Sequence, residues 1–373
     1  MTAKDSPRSP HFVKRIDTAL LAGLLTKQTS ADDLSPYSDQ DLLDHLDHHG
    51  ISFLADEQKA LPSSLNTIMS QRKAMAVASE AIKQKALAEL FDAFSAAGVN
   101  AVLFKGSALA YALYSNSWLR PRSDSDVLIS PSDKQKADTV LQQQGFTKLF
   151  AIEGEFVSHQ STYGKQLLAK SFLNIDLHWQ INNRQMFATS ITAPQLIENG
   201  QQLSQFGAQP LKSTAHIPSN VDSLLIAAIH QAGHHNKEER LAWVYDIHIL
   251  ASSLDSESWN TLTTRAIEKR IAAITLKALS TSRAYFRTNI EQRWIDKLAA
   301  ISGEASAVFL NTSLSERHYF WADLKTLASL RQQLTFIREN LLPSPTYVKL
   351  QMQERFALVA YVKRFWRGVK RIF

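Results

Sequence analysis

The segment from Val102 to Ser130, VLFKGSALAYALYSNSWLRPRSDSDVLIS, most constrains the fold of this chain. A short apolar run, a Gly-Ser pair and an alanine-rich stretch predict a strand, a turn and a helix in succession. Asp124 follows Ser107 after sixteen intervening residues, and Asp124 and Asp126 flank one residue at the start of a second strand. Because side chains alternate across a strand, these two carboxylates are expected to face the same side.

A third carboxylate, Asp176, lies in another short apolar stretch, LNIDLHW from Leu173 to Trp179. Carboxylate oxygens are the ligands that Mg²⁺ prefers in proteins. Three carboxylates on neighbouring strands beside a phosphate-sized turn indicate metal-dependent phosphoryl or nucleotidyl transfer.

The same motifs carry a family resemblance. K-G-S-A-L-A, Arg120, D-S-D-V-L, I-D-L-H-W and R-L-A-W-V-Y-D-I-H follow one another between about residues 90 and 250. This ordered set resembles the uncharacterised nucleotidyltransferase family of the DNA polymerase β-like superfamily. The spacer between Ser107 and Asp124 is longer than the superfamily's minimal pattern, but it suits this branch.

The resemblance implies that the catalytic residues and metal ligands are Asp124, Asp126 and Asp176. They would hold two Mg²⁺ ions, with Mn²⁺ as an alternative, and Asp176 would orient or deprotonate the attacking hydroxyl. A lone edge-strand aspartate can also serve only to limit aggregation.

The resemblance places nucleotide binding at Lys105, Gly106, Ser107 and Arg120. Backbone N–H groups at a helix start bind phosphate, and a lysine and an arginine add charge. The alternative for the turn is a simple strand-to-helix connection. Arg122 could grip phosphate or lie in a solvated loop.

Candidate substrate contacts are His178, Arg240 and Asp246. His178 shares a strand face with Asp176, although a lone histidine is often structural. Arg240 and Asp246 could contact base or acceptor, or form an ion pair with each other. His230, His234, His235 and His248 invite a zinc interpretation, but no H-E-x-x-H pattern or cysteine supports it.

The predicted fold class is α+β, a small mixed β-sheet nucleotidyltransferase core with a helical N-terminal cap and a larger helical C-terminal domain. The predicted divisions are a flexible N-terminus at 1–15, a helical N-terminal region at 16–97, the core at 98–190, the helical C-terminal domain at 191–345 and a basic amphipathic helix at 346–373. The strand signals fade after about Ile191, where apolar residues recur at three- and four-residue spacing.

The chain of 373 residues has a net charge of +6, and residues 361–373 alone contribute +5. The nearly neutral remainder argues against a general nucleic-acid footprint. The basic C-terminal helix could lie on an anionic membrane or pack its aromatic face on the helical domain. The chain has no cysteine, which leaves the redox compartment undetermined, and no signal-like apolar run at its start. A cytoplasmic location is expected, with peripheral contact at the inner membrane face as an option.

The leading functional hypothesis is an enzyme that moves a nucleoside monophosphate from an NTP such as ATP to a hydroxyl-bearing small-molecule or peptide-like acceptor. The alternative is a non-catalytic member of the fold that binds a nucleotide or a partner. A membrane-surface role in an envelope or glycan pathway is compatible with either.

Overall fold

A computed structural model describes residues 15–151, 154–168, 171–235, 238–301, 303–342 and 357–372. Residues 1–14 of the expected flexible N-terminus lie outside these ranges. So do residues 343–345 of the expected C-terminal domain and residues 346–356 and 373 of the expected final helix. Within the described part of the chain, no helix is both long enough and apolar enough to cross a bilayer.

Four helices precede the sheet. They are α1 (Thr18–Leu25), α2 (Asp39–His49), α3 (Ser52–Glu57) and α4 (Asn66–Ala96). The 31-residue helix α4 contains no glycine or proline and is rich in strong helix formers. It ends at the predicted stop, where Gly98 takes a φ of +66° and the N–H of Val99 bonds the carbonyl of Phe94.

The central region alternates strands and helices. Its elements are β1 (Val102–Phe104), α5 (Lys105–Ala112), β2 (Ser125–Leu128), α6 (Lys134–Gln143), β3 (Thr147–Ala151), β4 (Gln160–Leu168), β5 (Ser171–His178), α7 (Gln185–Ala188), α8 (Ala193–Asn199), β6 (Gln201–Phe206) and β7 (Gln209–Ile217).

The seven strands form one mixed sheet in the order β3-β4-β5-β2-β1-β7-β6. β2 runs parallel to β5 and β1 runs parallel to β7, while the other neighbours are antiparallel. The strands β2 and β5, which carry the predicted acidic residues, are therefore direct neighbours near the middle of the sheet.

Helices follow to the end of the described chain. They are α9 (Asn220–His234), α10 (Leu241–Ser252), α11 (Ser256–Glu268), α12 (Ala272–Phe286), α13 (Gln292–Ala299), α14 (Glu316–Thr326), α15 (Leu330–Leu341) and α16 (Ala357–Ile372). The fold is α+β, as the sequence predicts.

Helices cover both faces of the sheet. Val102 and Phe104 of β1 pack in a core formed with the C-terminal helices, whereas Leu103 packs in a second core with α4 and α6. A third core joins the N-terminal helices to α10 and to Phe286 of α12. The N-terminal and C-terminal helical regions thus bury apolar surface against each other as well as against the sheet.

The boundary expected at residue 190 between the core and a helical domain is wrong, because β6 and β7 belong to the sheet. Their sequences, QQLSQF and QPLKSTAHI, lack an apolar run because β6 is an edge strand and most of their side chains are exposed or only half-buried. Such strands give a weak sequence signal. Within the predicted helical N-terminal region, the short α3 and a separate turn at Ser63–Leu65 precede α4.

Candidate active site

The site is built around two aspartates on adjacent parallel strands. Asp126 of β2 and Asp176 of β5 are direct partners in the strand register, so their side chains leave the sheet on the same side. One ligand atom from each of Asp126, Asp176 and His178 lies within 4.8 Å of the others. His178 lies on the same face as Asp176, as strand alternation predicts.

Asp126 has two close partners of its own. Its Oδ1 atom accepts a hydrogen bond from Lys105 Nζ at 2.7 Å and lies 2.9 Å from His178 Nε2. Burial alone would raise the pKa of Asp126, but the Lys105 ammonium and the His178 hydrogen bond outweigh it and hold that pKa below its ordinary value. Asp126 is therefore ionised and tied to a cation.

His178 is neutral, because burial and then the charge of Lys105 lower its pKa. Its ring packs edge-on against Phe104, with centroids 5.1 Å apart. Since Asp126 is ionised, Nε2 carries the proton and donates it. Nδ1 has no hydrogen-bond partner among the described residues.

Asp176 is held by the neighbouring strand β4. Thr162 Oγ1 donates to its Oδ1 at 2.6 Å, and Gln160 Nε2 donates to its Oδ2 at 3.3 Å. Burial, followed by the charge of Asp126, raises the pKa of Asp176. Two donors thus fix the orientation of a carboxylate that has a raised pKa.

Asp124 stands just before β2 and lines the same cleft. It is not one of the three residues whose ligand atoms meet within 4.8 Å. Burial, then the charges of Asp126 and Asp176, raise its pKa to about 7. Its carboxylate is therefore close enough to the other two to feel their repulsion, and a cation placed among the three would relieve that repulsion.

The Gly-Ser turn opens α5 as expected, and no side chain caps the first turn of this helix. Residues that bind phosphate through backbone N–H groups need such free donors. The unusual backbone belongs to Lys105, whose φ is +54°, whereas a Cβ added at Gly106 would lie 3.6 Å from Arg120 Nη2. Non-glycine residues pay for positive φ, and such strain often occurs at functional sites.

The hydroxyl of Ser107 is buried and bonded within the protein. It donates to Ser125 Oγ at 2.9 Å and accepts from Arg122 Nε at 3.0 Å. Arg122 also forms an ion pair with Glu80 of α4 at 2.7 Å. It is therefore not the solvated loop arginine that the sequence left open. Ser107 and Arg122 therefore lock the acidic loop to α5 and α4, and the Ser107 hydroxyl is engaged within the protein.

Arg120 is also engaged by a carboxylate. Its Nε and Nη2 atoms donate to Asp246 of α10 at 2.8 to 3.1 Å, and Tyr114 donates to the same carboxylate at 2.7 Å. Both members of the pair are buried. The arrangement joins the acidic loop to the helical region, and Arg120 could contact a phosphate only through what remains of its guanidinium beside Gly106.

The sequence left open an ion pair between Arg240 and Asp246, and the structure excludes it. Arg240 pairs with Glu238 at 2.7 Å, and its guanidinium lies 5.3 Å from the centre of the Trp243 ring. Asp246 belongs instead to Arg120, because Asp246 lies in the middle of α10 and contacts the loop before β2, while Arg240 precedes the first turn of the helix.

One cleft of about 820 Å³ is bordered by many of these residues, among them Lys105, Arg120, Asp124, Asp126 and Asp176. Its opposite wall carries His230, His234, His235 and Trp243 from α9 and α10. His235 and Trp243 are packed with ring centroids 4.2 Å apart. Burial, then the charge of Lys105, holds the pKa of His230 well below its ordinary value.

These histidines do not form a zinc site in the described structure. The group of metal-compatible side chains found there is Asp126, Asp176 and His178, and no set of imidazoles from the opposite wall meets the same 4.8 Å limit. His248 lies apart, with its Nδ1 atom 3.0 Å from Thr288 Oγ1. The histidines of α9 instead supply a neutral, partly aromatic wall.

Sequence reasoning missed several residues that shape the site. Gln160 and Thr162 alternate along β4 opposite His178 and Asp176, so polar residues at a period of two were an available signal. The strain at Lys105 and the partners of Ser107 and Arg122 had no local signal, because they depend on residues distant in sequence.

A mixed sheet with paired aspartates beside the start of a helix, enclosed by helical regions, defines an α+β nucleotidyltransferase. The chain belongs to the family described as Uncharacterised nucleotidyltransferase, whose model matches residues 11–287. No curated protein matches the chain.

Proposed function

We propose that the protein transfers a nucleoside monophosphate from an NTP to a hydroxyl group of a small-molecule or peptide-like acceptor. The observation that carries this proposal is the register pair of Asp126 and Asp176 beside the uncapped start of α5, within one cleft. The family assignment supports nucleotidyl transfer as the class of reaction.

The three carboxylates fit Mg²⁺, with Mn²⁺ as an alternative. The donor set is rich in oxygen, and burial, followed by repulsion from the neighbouring carboxylates, raises the pKa of Asp124 and of Asp176, a cost that a bound cation would offset. Asp124, Asp126 and Asp176 would hold the metal, in the proposed case two ions. Bound there, the metal would stabilise charge on the triphosphate and lower the pKa of an attacking hydroxyl.

The protein's own groups would then bind and orient the two substrates. The backbone N–H groups of Gly106 and Ser107 would donate to the triphosphate, and Lys105 would add a positive charge once released from Asp126. Asp176, held by Thr162 and Gln160, would accept the hydroxyl proton. The acceptor oxygen would bond to the α-phosphorus as the bond to the bridging oxygen breaks, and pyrophosphate would leave with the electron pair.

The wall opposite the carboxylates favours an uncharged acceptor over a nucleic acid. Among the described residues, each lysine and arginine bordering the cleft is paired with an acid: Lys105 with Asp126, Arg120 with Asp246, Arg122 with Glu80 and Arg240 with Glu238. The wall formed by α9 and α10 includes neutral imidazoles and an indole, which suit hydrogen-bonding and ring contacts rather than phosphate neutralisation.

One observation favours the alternative of a non-catalytic nucleotide-binding protein. Lys105 occupies an oxygen of Asp126 that a metal would need. If this pair does not open, the fold could hold a nucleotide without transferring it.

The test is incubation with NTPs labelled at the α-phosphate and with cell extract of the source, to find which molecule acquires the label. Asp126→Asn and Asp176→Asn should each lower labelling by at least about a hundredfold, because each removes charge that stabilises the transition state. Asp138→Asn is a matched control, since Asp138 pairs with Lys148 outside the cleft. Full labelling by both site variants would refute the proposed reaction, and magnesium-dependent NTP binding without labelling would support the non-catalytic alternative.

A further inference from the structure

The C-terminal helix α16 presents apolar side chains to solvent. Val359, Val362, Phe365 and Trp366 are exposed, and the exposed fraction of Trp366 is 59%. Among the described residues, eight of the fifteen exposed large apolar side chains lie between Trp321 and Trp366. This concentration sets the C-terminal helices apart from the rest of the surface.

The helix packs on the protein through a different side. Gly368 is buried, and a Cβ added there would lie 2.8 Å from the carbonyl oxygen of Asn340 and 3.2 Å from a methyl carbon of Leu341. By helical spacing, Val359, Val362 and Trp366 lie on the side of α16 opposite Gly368. The close approach of α16 to α15 therefore directs these apolar side chains away from the protein.

The charge of this region has one sign. The sequence of α16 contains five basic residues and no acid: Lys363, Arg364, Arg367, Lys370 and Arg371. On α15, the exposed charged residues Arg331 and Arg338 are basic, and the acid of that helix, Glu339, is buried and bonded to the N–H groups of Glu155 and Phe156. Two exposed leucines, Leu330 and Leu334, lie one helical turn apart on α15.

We propose that α16 binds an anionic lipid surface, with Val359, Val362 and Trp366 in the headgroup region and the basic residues of the helix against lipid phosphates. One strip of α16 is apolar and includes an aromatic residue, and the adjacent strip carries only positive charge. The apolar strip suits the acyl boundary of a membrane, and the basic strip suits its anionic headgroups. The proposal does not depend on nucleotidyl transfer. It differs from the packing alternative for this helix because Trp366 faces outward.

The test is co-sedimentation of the full chain with vesicles. The wild type should bind mixed vesicles of phosphatidylglycerol and phosphatidylcholine, bind pure phosphatidylcholine much less, and lose binding as salt is added. Trp366→Ser should lower the partition coefficient by about tenfold and Val362→Ser by a smaller factor, because each removes outward-facing apolar surface from the bilayer interface. Phe172→Ser, at an equally exposed aromatic residue on β5, is the matched control and should bind as the wild type does.

Thermal melting of each variant separates lost binding from lost folding, and the outward position of both residues predicts unchanged melting temperatures. The proposal fails if the wild type binds neither kind of vesicle, or if all three variants bind equally. It also fails if the wild type forms dimers that the two α16 variants abolish without any vesicle binding, since the apolar face would then belong to a second copy of the chain.

Discussion

At the scale of single residues, Lys105 and Asp126 form the contact on which the site depends. A lysine with positive φ places its ammonium on the carboxylate that also contacts His178. The side chains of both members are largely buried, with 12% and 13% of their surface exposed. In the absence of substrate, the ammonium therefore takes the place of a cation at Asp126.

Replacing Lys105 by methionine should strengthen metal binding in the absence of nucleotide. The variant removes a competing charge while keeping the length of the side chain, so the affinity for Mn²⁺ should rise by about tenfold. Titration of Mn²⁺ followed by electron paramagnetic resonance measures this directly. Lys148→Met, at an ion pair outside the cleft, should leave it unchanged. An unchanged or weaker affinity in Lys105→Met would show that the ammonium does not compete with metal.

Asp124 predicts a pH dependence of stability. Its pKa is about 7 in the folded protein and 3.8 in the reference state. Between these two pH values, the metal-free folded state therefore holds a proton that the unfolded state has lost. Stability from this group is therefore present at low pH and lost as pH rises towards 7. Asp124→Asn should melt like the wild type near about pH 4 but be more stable by about 2 kcal/mol near about pH 8, after allowance for solvent screening.

The control for this experiment has the opposite sign. Burial opposes ionisation of Asp92, but hydrogen bonds from Ser213 and Lys212 together outweigh it and lower its pKa, so Asp92→Asn should not gain stability at high pH. Thermal melting in chelator at both pH values measures the two variants. Equal melting temperatures of Asp124→Asn and the wild type at both pH values would contradict the raised pKa.

At the scale of elements, the ion pair between Arg120 and Asp246 joins the loop before β2 to α10. Removal of one partner of a buried pair leaves an uncompensated charge, which costs about 3–5 kcal/mol. Arg120→Ala should therefore lower the free energy of unfolding by about this amount, as measured by urea denaturation. Arg293→Ala, which breaks an exposed pair with Glu291, should cost less than about 1 kcal/mol. If Arg120→Ala is as stable as the wild type but binds NTP more weakly, the pair does not stabilise the fold. Arg120 would then bind phosphate, as its position in the motif implies.

The sequence allowed prediction of those elements whose signal is local. Helix α4 shows helical spacing and is followed by a glycine, and the strand that holds Asp126 contains the apolar run Val127–Ile129, so a helical region ending at residue 97 and a strand at the aspartates were both predicted. β6 and β7 were missed because mostly exposed strands lack an apolar run. The partners of Arg120 and Ser107 were missed because they come from α10 and from the loop before β2, and ion-pair choice depends on the assembled fold.

At the scale of the whole molecule, β1 has neighbours from opposite ends of the central region. Val102 pairs with Leu128 on one side and with His216 on the other. Phe206, Ala215 and Ile217 of β6 and β7 also belong to the core that packs under α4. The sheet is therefore incomplete until the chain has passed residue 217.

This long-range pairing has a consequence for how the chain is synthesised and how it can be divided. Contacts between residues far apart in sequence form late in folding, and an unpaired strand edge promotes aggregation. A fragment of residues 1–190 should be insoluble when expressed, because the edge of β1 is open and the third core lacks α10 and α12. Solubility and circular dichroism of this fragment, beside the full chain, measure the effect, and a soluble, cooperatively melting fragment would contradict it. During translation, the aspartates at the start of β2 would thus emerge from the ribosome well before the strand and helices that enclose them, and the nascent chain would depend on chaperones over that interval.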